Sequence, residues 1–358
     1  MASQSALVPK PVEAPGSEAY RARPKVEEPP AKLPLRAERS PLVERLNRFA
    51  LDLYKRSDRE GNVVMAPLSL VTSLSVIALW NREEDTQSAF SVRLGTRDAG
   101  YHASLGSLLD GLRGSMPTRG EYGLEYEEHL LRFASSLWLP KGTRIDQHRA
   151  RALAKPYGTK VHRRVHERPA RAALAVSHQM RQGRRVRMRL GREVFADPRA
   201  FVVASSIDFE AEWDLMFVGG MTGTFHVDGK AEAVATPRMQ QVLPSDFYAG
   251  VDVYVSEVFY RHKDTGASLA MTFVVPKAVD GLAQLEAGLT VDRLERWIAA
   301  MEEGTTKAAV HMPPWTAKYA PDYRAALQRM GLAPDEALGA SALHVRHAFG
   351  QAEIEVNE

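Results

Sequence analysis

The chain has 358 residues and no cysteine. That excludes a disulfide framework, a thiolate nucleophile and a cysteine-ligated metal. It does not fix the compartment. No apolar run approaches the roughly 20 residues of a membrane helix. The N-terminus lacks the apolar block of a secretion signal. An intracellular protein and an extracellular one seen after processing both stay open. Formal net charge is only +3, too small to drive general polyanion binding. There is no Gly-x-Ser-x-Gly elbow and no supported Ser-His-Asp set. Gly219, Gly220 and Gly223 lack the charged and hydroxyl neighbours of a phosphate cradle. His162 and His166 are four apart, and His344 and His347 three apart. Neither pair has a third ligand nearby, so neither a metal nor a cofactor is expected. These absences argue against an enzyme.

What is present is a large apolar fraction, 44% of residues. The length suits one large domain or two ordinary ones. Residues 1–40 stand apart, with seven prolines and few large apolar side chains. They read as an extended, mostly disordered tail. The folded part is expected to span residues 41–358. Phe201 to Trp213 is its organising stretch. Five apolar and three small residues fill its first nine positions, the composition of a strand covered on both faces. Asp208 in such a strand must lie near its end or find a partner. Phe209, Trp213 and Phe225 are expected in the core.

Helical spacing follows Ser40-Pro41, a cap and first-turn pair, through Leu42, Leu46, Phe49 and Leu53. Val63 to Met65 reads as a short strand. Pro67 opens a second helix, whose small hydroxyl residues suit close packing and can bond the preceding carbonyl turn. Further helices are expected near Leu105, over 145–156, from Leu282 through Trp297 and near Leu327. Strands are expected over 130–140, around Val253, over 269–275, over 307–312 and over 352–356.

Between Lys160 and Arg192 there are eleven basic residues and one acidic residue, Glu167. They include Arg181, Arg184, Arg185, Arg187, Arg189 and Arg192. Alternation with Val186, Met188 and Leu190 suggests an exposed strand with a basic face. Two readings stand side by side. One is a solvated, edge-protecting surface. The other is a site for a heparin-like polyanion. Aromatic residues do not interleave, so stacking on bases has little support.

The order and wording of these pieces resemble the serpin family. Phe49 to Tyr54 looks like its opening helix and Ala66-Pro67-Leu68-Ser69 like the start of the next. Leu137-Trp138-Leu139, Phe209 to Trp213 and Phe225 to Gly229 resemble later strand signatures. Leu294 to Trp297 and Met330-Gly331-Leu332 agree with later helices. Ile354 to Glu358 is close to the acidic hinge before the reactive loop. The resemblance implies one α+β domain, with a large central mixed sheet, further sheets and about nine helices. It implies a serine-type protease inhibitor, or the N-terminal part of one. A protease attacks the loop as substrate, and the loop then inserts into the main sheet. The hinge maps to Glu355, Val356, Asn357 and Glu358. The loop and the last strands do not follow in this chain, so a C-terminal serpin fragment or another chain is expected to complete the fold.

The sheet-opening positions of the family map to Ala66, Ser69, Ser205 and Gly350. Only Ser69 keeps the family residue; serine, asparagine and histidine are replaced at the other three. The helix across the main sheet lacks the family's Asn and Trp near Leu174 to His178. These departures favour the alternative of a noninhibitory binding, chaperone or structural role.

Overall fold

The computed structural model describes residues 40–58, 61–80, 89–112, 118–119, 125–126, 129–140, 143, 147–163, 168–180, 190–195, 201–227, 230, 232–241, 245–261, 269–303, 307–332 and 348–357. The first helix, α1 (Pro41–Arg56), begins with Pro41 in its first turn. Ser40 occupies the cap position, but its hydroxyl makes no cap bond. Leu42, Phe49 and Leu53 form its buried stripe. The expected strand at Val63 to Met65 does not form. That segment leads straight into α2 (Pro67–Trp80), which is apolar around most of its circumference. A helix of that kind belongs inside a protein, and Val71, Leu74, Val76 and Ile77 are buried. Its hydroxyls are accommodated within the helix or by neighbours. Thr72 Oγ1 donates to Leu68 O at 2.8 Å, and Ser75 Oγ pairs with the Tyr101 hydroxyl at 3.0 Å.

After α3 (Ala89–Leu94) and α4 (Tyr101–Leu112) come two short strands, β1 (Thr118–Arg119) and β2 (Glu125–Tyr126). Next are β3 (His129–Leu139), α5 (Gln147–Tyr157), β4 (Lys160–Arg163), α6 (Pro169–Gln179) and a 3-10 turn at Arg192–Phe195. Gly106 of α4 sits against α5 so closely that a Cβ would lie 2.6 Å from the Pro156 carbonyl oxygen. Only glycine permits that approach.

The organising stretch forms β5 (Val202–Ala211), followed by β6 (Phe217–His226), β7 (Ala233–Gln241), β8 (Ser245–Ala249), β9 (Val253–Phe259) and β10 (Ala270–Pro276). The 282–297 pattern divides into α7 (Leu282–Gly288) and α8 (Val291–Glu303). Thr290 caps the second, accepting from Arg293 N at 3.1 Å, with Asp292 in the first turn. The remaining elements are β11 (Lys307–Ala308), β12 (His311–Met312), β13 (Trp315–Tyr319), α9 (Arg324–Arg329) and β14 (Ala352–Val356). The strand expected over 307–312 is thus two short pieces. They pair with different sheets, β11 with β8 and β12 with β7.

The strands form a mixed sheet β4-β3-β5, antiparallel sheets β10-β9-β8-β11 and β12-β7-β6, and the pairs β13-β14 and β1-β2. Helix α6 covers one face of β3 and β5 through Ala172, Ala173 and Val176, packed with Ala204 and Trp138. Helices α1, α2, α4, α5 and α9 share the largest core, which also takes Leu137 and Leu139 of β3. Asp208 finds its partner directly across the ladder, where Arg132 Nη1 lies 3.1 Å from its carboxylate.

Trp213 is buried, but Phe209 and Phe225 are 39% and 47% exposed, against the expectation of a core role for all three. Helices α2 and α6 cover only the first half of β5, so Phe209 lies beyond their reach. The outer half of β6, which carries Phe225, is exposed as well.

Candidate functional site

The central sheet expected from sequence is divided. β5 bonds to β3 along one edge, and among the described residues no strand pairs with its other edge. Among the described residues β14 pairs with β13 alone. The two parts meet near one end, where Trp213 Nε1 donates to the Asn357 carbonyl at 2.9 Å. Trp213 also stacks on Tyr260 with ring centres 4.7 Å apart and 13° between planes. Val356 is buried in the same cluster as Trp213, Phe217 and Met239. Two of the expected hinge residues, Val356 and Asn357, are therefore anchored to the end of β5. Glu355 is exposed, and Glu358 lies outside the described residues.

Helix α2 meets β5 through hydroxyls. Ser69 Oγ donates to Ser205 O at 2.9 Å, and Ser205 Oγ donates to Ser69 O at 2.7 Å. Ser73 Oγ and Ser205 Oγ are also hydrogen-bonded. The structure thus brings Ser69 and Ser205 together, as their mapping implied, and adds Ser73. That residue was legible in principle, since it lies four positions after Ser69 on the same helix face. Ala66 contributes only backbone, its carbonyl accepting from Ser69 N at 3.0 Å.

Gly350 is not joined to this cluster. A Cβ there would lie 2.2 Å from Cε2 of Tyr323, whose ring is buried. The Tyr323 ring fills the space a side chain at 350 would need. The expected result for Gly350→Ala is a loss of about 1–3 kcal/mol by overpacking. A Tyr323→Ala background should suppress most of that loss in denaturant titrations. An equal cost in both backgrounds would contradict the contact.

Several phenols are held neutral. Burial pushes Tyr101, Tyr260 and Tyr323 each up to about 12; Ser75 and then Arg45 partly offset this at Tyr101, and Tyr319 adds to it at Tyr323. Burial raises Tyr157 as well, which pairs with His102 Nδ1 at 2.5 Å. A raised folded-state pKa gives stability that is fully present below the unfolded value near 10 and is lost as pH rises toward 12. Stability should therefore start to fall just above pH 10, with alkaline unfolding following as the pH approaches 12. Phenolate absorbance should show these tyrosines ionising together with the unfolding transition. Titration of all tyrosines near pH 10 in a folded protein would contradict this.

Of the basic candidates, Arg192 is exposed in the 3-10 turn. Arg181, Arg184, Arg185, Arg187 and Arg189 lie outside the described residues. So do His166, His344 and His347. Among the described residues no group of three or more His, Cys, Asp or Glu could hold a metal, and no helix is long and apolar enough to cross a membrane. The helix across the sheet meets β5 through alanine and valine, with Leu174 69% exposed.

A mixed sheet beside a buried helix, with further antiparallel sheets around it, defines an α+β protein. The family model Serpin (serine protease inhibitor) matches residues 44–358. The chain belongs to the serpin family. It is 23% identical over 301 residues to leukocyte elastase inhibitor of Sus scrofa, covering 80% of this chain and 75% of that one. Among solved structures, it is similar to cleaved Serpin 42Da, with a TM-score of 0.71, 19% identity, and 88% and 85% of the two chains covered. It is also similar to cleaved kallistatin complexed with heparin, with a TM-score of 0.69, 16% identity, and 88% and 94% covered.

Proposed function

We propose that this protein inhibits a serine-type protease by inserting a cleaved loop between β5 and β14, and is not itself an enzyme. The observation that carries the reading is the edge of β5 facing away from β3, which no strand of the described residues pairs with. A strand placed there would find free backbone donors and acceptors. The protease serine attacks the loop carbonyl, and the amine side of the broken bond leaves. The acyl ester is then carried with the loop as it becomes a strand. The similarity to leukocyte elastase inhibitor supports elastase-like enzymes as the first to try.

The reading includes a completing segment. β10 is apolar apart from Thr272, forms the edge of its sheet among the described residues, and leaves Val275 49% exposed. Phe209 and Phe225 are exposed too. A C-terminal serpin segment, or another chain, would cover this surface. Residues 41–358 then act as one domain, with 1–40 as a tail. The test is incubation of the full-length protein with elastase-like proteases. An SDS-resistant complex, and a higher melting temperature after loop cleavage, are expected. Turnover of the loop as plain substrate, with no complex and no rise in melting temperature, would overturn the inhibitor reading.

Two observations favour other readings. Ala66, and Gly350 filled by Tyr323, replace the polar groups of a sheet that opens and reseals. They favour a noninhibitory binding, chaperone or structural role. The exposed Arg192 and the basic 181–189 stretch beside it favour polyanion binding, as does the similarity to a kallistatin complexed with heparin.

A further inference from the structure

The positive charge of this protein is segregated. Residues 147–195 hold fourteen Lys or Arg against two acidic residues, an excess of twelve. With a whole-chain charge of +3, the rest of the chain carries an excess of nine acids. Whole-chain charge hides this asymmetry, and local density governs contact with a charged polymer.

Six of those basic residues lie along one sheet edge. β4 is the outer strand of β4-β3-β5 and runs parallel to β3. Val161 of β4 packs in the core that holds Leu153 and Tyr157 of α5, so α5 lies on one face of the sheet. Trp138, opposite His162 in the ladder, packs in the core built on α6, which lies on the other face. The His162 ring stacks on Trp138 at 4.4 Å and 19°, fixing the edge strand in place. Basic side chains rim all three elements. Arg151 and Lys155 on α5, Lys160 and Arg163 on β4, Arg168 at the cap of α6 and Arg171 on α6 are all exposed. None of them forms an ion pair with a carboxylate of the described residues. Arg151 and Lys155 are one helical turn apart, about 6 Å. Lys160 and Arg163 are spaced about 10 Å along the strand and point to opposite faces.

We infer that the α5–β4–α6 edge is the primary binding surface for a linear sulfated polysaccharide, ahead of the 181–192 stretch. This rests on the polyanion reading above and names its location. The two aromatic residues of the segment, Tyr157 and Phe195, are both buried. No Phe or Tyr of the segment is exposed for bases to stack on, and Trp138 is already stacked on His162, which separates this surface from single-strand nucleic-acid platforms. A flexible chain of sulfates needs only spaced cations along an exposed ridge, and the sheet edge supplies that ridge.

The experiment is a salt-gradient elution of the full-length protein from heparin, with equilibrium binding at several salt concentrations. One variant carries Arg151→Gln, Lys155→Gln, Arg163→Gln and Arg171→Gln. A second carries Arg185→Gln, Arg187→Gln and Arg189→Gln. Unchanged melting temperatures establish that both fold, and any variant that does not is replaced by single substitutions at the same positions. The edge variant should elute at clearly lower salt, with its log–log salt slope reduced in magnitude by about 3. The second variant should lose less. If only the second variant weakens, the polyanion reading survives and the edge assignment is overturned. If the wild-type protein shows no salt-sensitive retention, both are overturned. Single-stranded DNA binding as tight as heparin, through the same four residues, would overturn the assignment to a sulfated polysaccharide.

Discussion

Trp213→Ala should destabilise the protein by about 3–5 kcal/mol, the range for a buried aromatic truncated to alanine. The indole is 9% exposed, stacks on Tyr260 and packs against Phe217. It also donates to the carbonyl of Asn357. Removing it opens a cavity and releases the end of β14 from the end of β5. Two readouts should therefore move together in chemical denaturation. Global stability falls, and amides near Val356 and Asn357 exchange faster than the stability change alone explains. Trp213→Phe separates the two effects. It keeps much of the packing and removes the donor, so it should retain most stability and lose the tether.

Ser205→Ala should cost about 1–3 kcal/mol, more than one exposed hydroxyl would. The substitution leaves Ser73 Oγ without its partner and takes the donor from the Ser69 carbonyl. The Ser69 hydroxyl keeps its bond to the Ser205 backbone oxygen. Adding Ser73→Ala should recover part of the loss, because a buried polar group with no partner costs more than its absence. A double-mutant cycle between Ser73 and Ser205 measures that coupling. Strict additivity of the two losses would contradict the shared bond.

The sequence made some of this legible and hid the rest. Local periodicity identified α1 and α2, because a buried stripe and a nearly all-apolar helix leave strong patterns. It identified β5 and β14 for the same reason. Asp208 announced its need for a partner, and Arg132 supplied it across the ladder. Resemblance placed Ser69 beside Ser205, contacts 136 positions apart that no local pattern contains. Val63 to Met65 misled because three apolar residues say nothing about whether a neighbouring strand is available. Gly350 read as a lost polar group. That Tyr323 takes up its space depends on how α9 approaches β14, which is decided by tertiary packing. Exposure of Phe209 and Phe225 was hidden for a related reason. An apolar residue reports a preference for burial, and a covering element elsewhere must meet it. Division of the central sheet was hidden most completely, since strand composition does not state which edges are paired.

The central claim is that β5 offers a free edge which a further strand can occupy. In an antiparallel strand, alternate amides point to the same neighbour. Amide hydrogen exchange along Val202–Ala211 therefore tests the claim directly. In the uncleaved protein, amides facing β3 should be protected and alternate ones facing away should exchange rapidly. After a protease cuts the loop, the second set should become protected as well. Uniform protection along β5 before cleavage, or an unchanged alternation after it, would contradict the account.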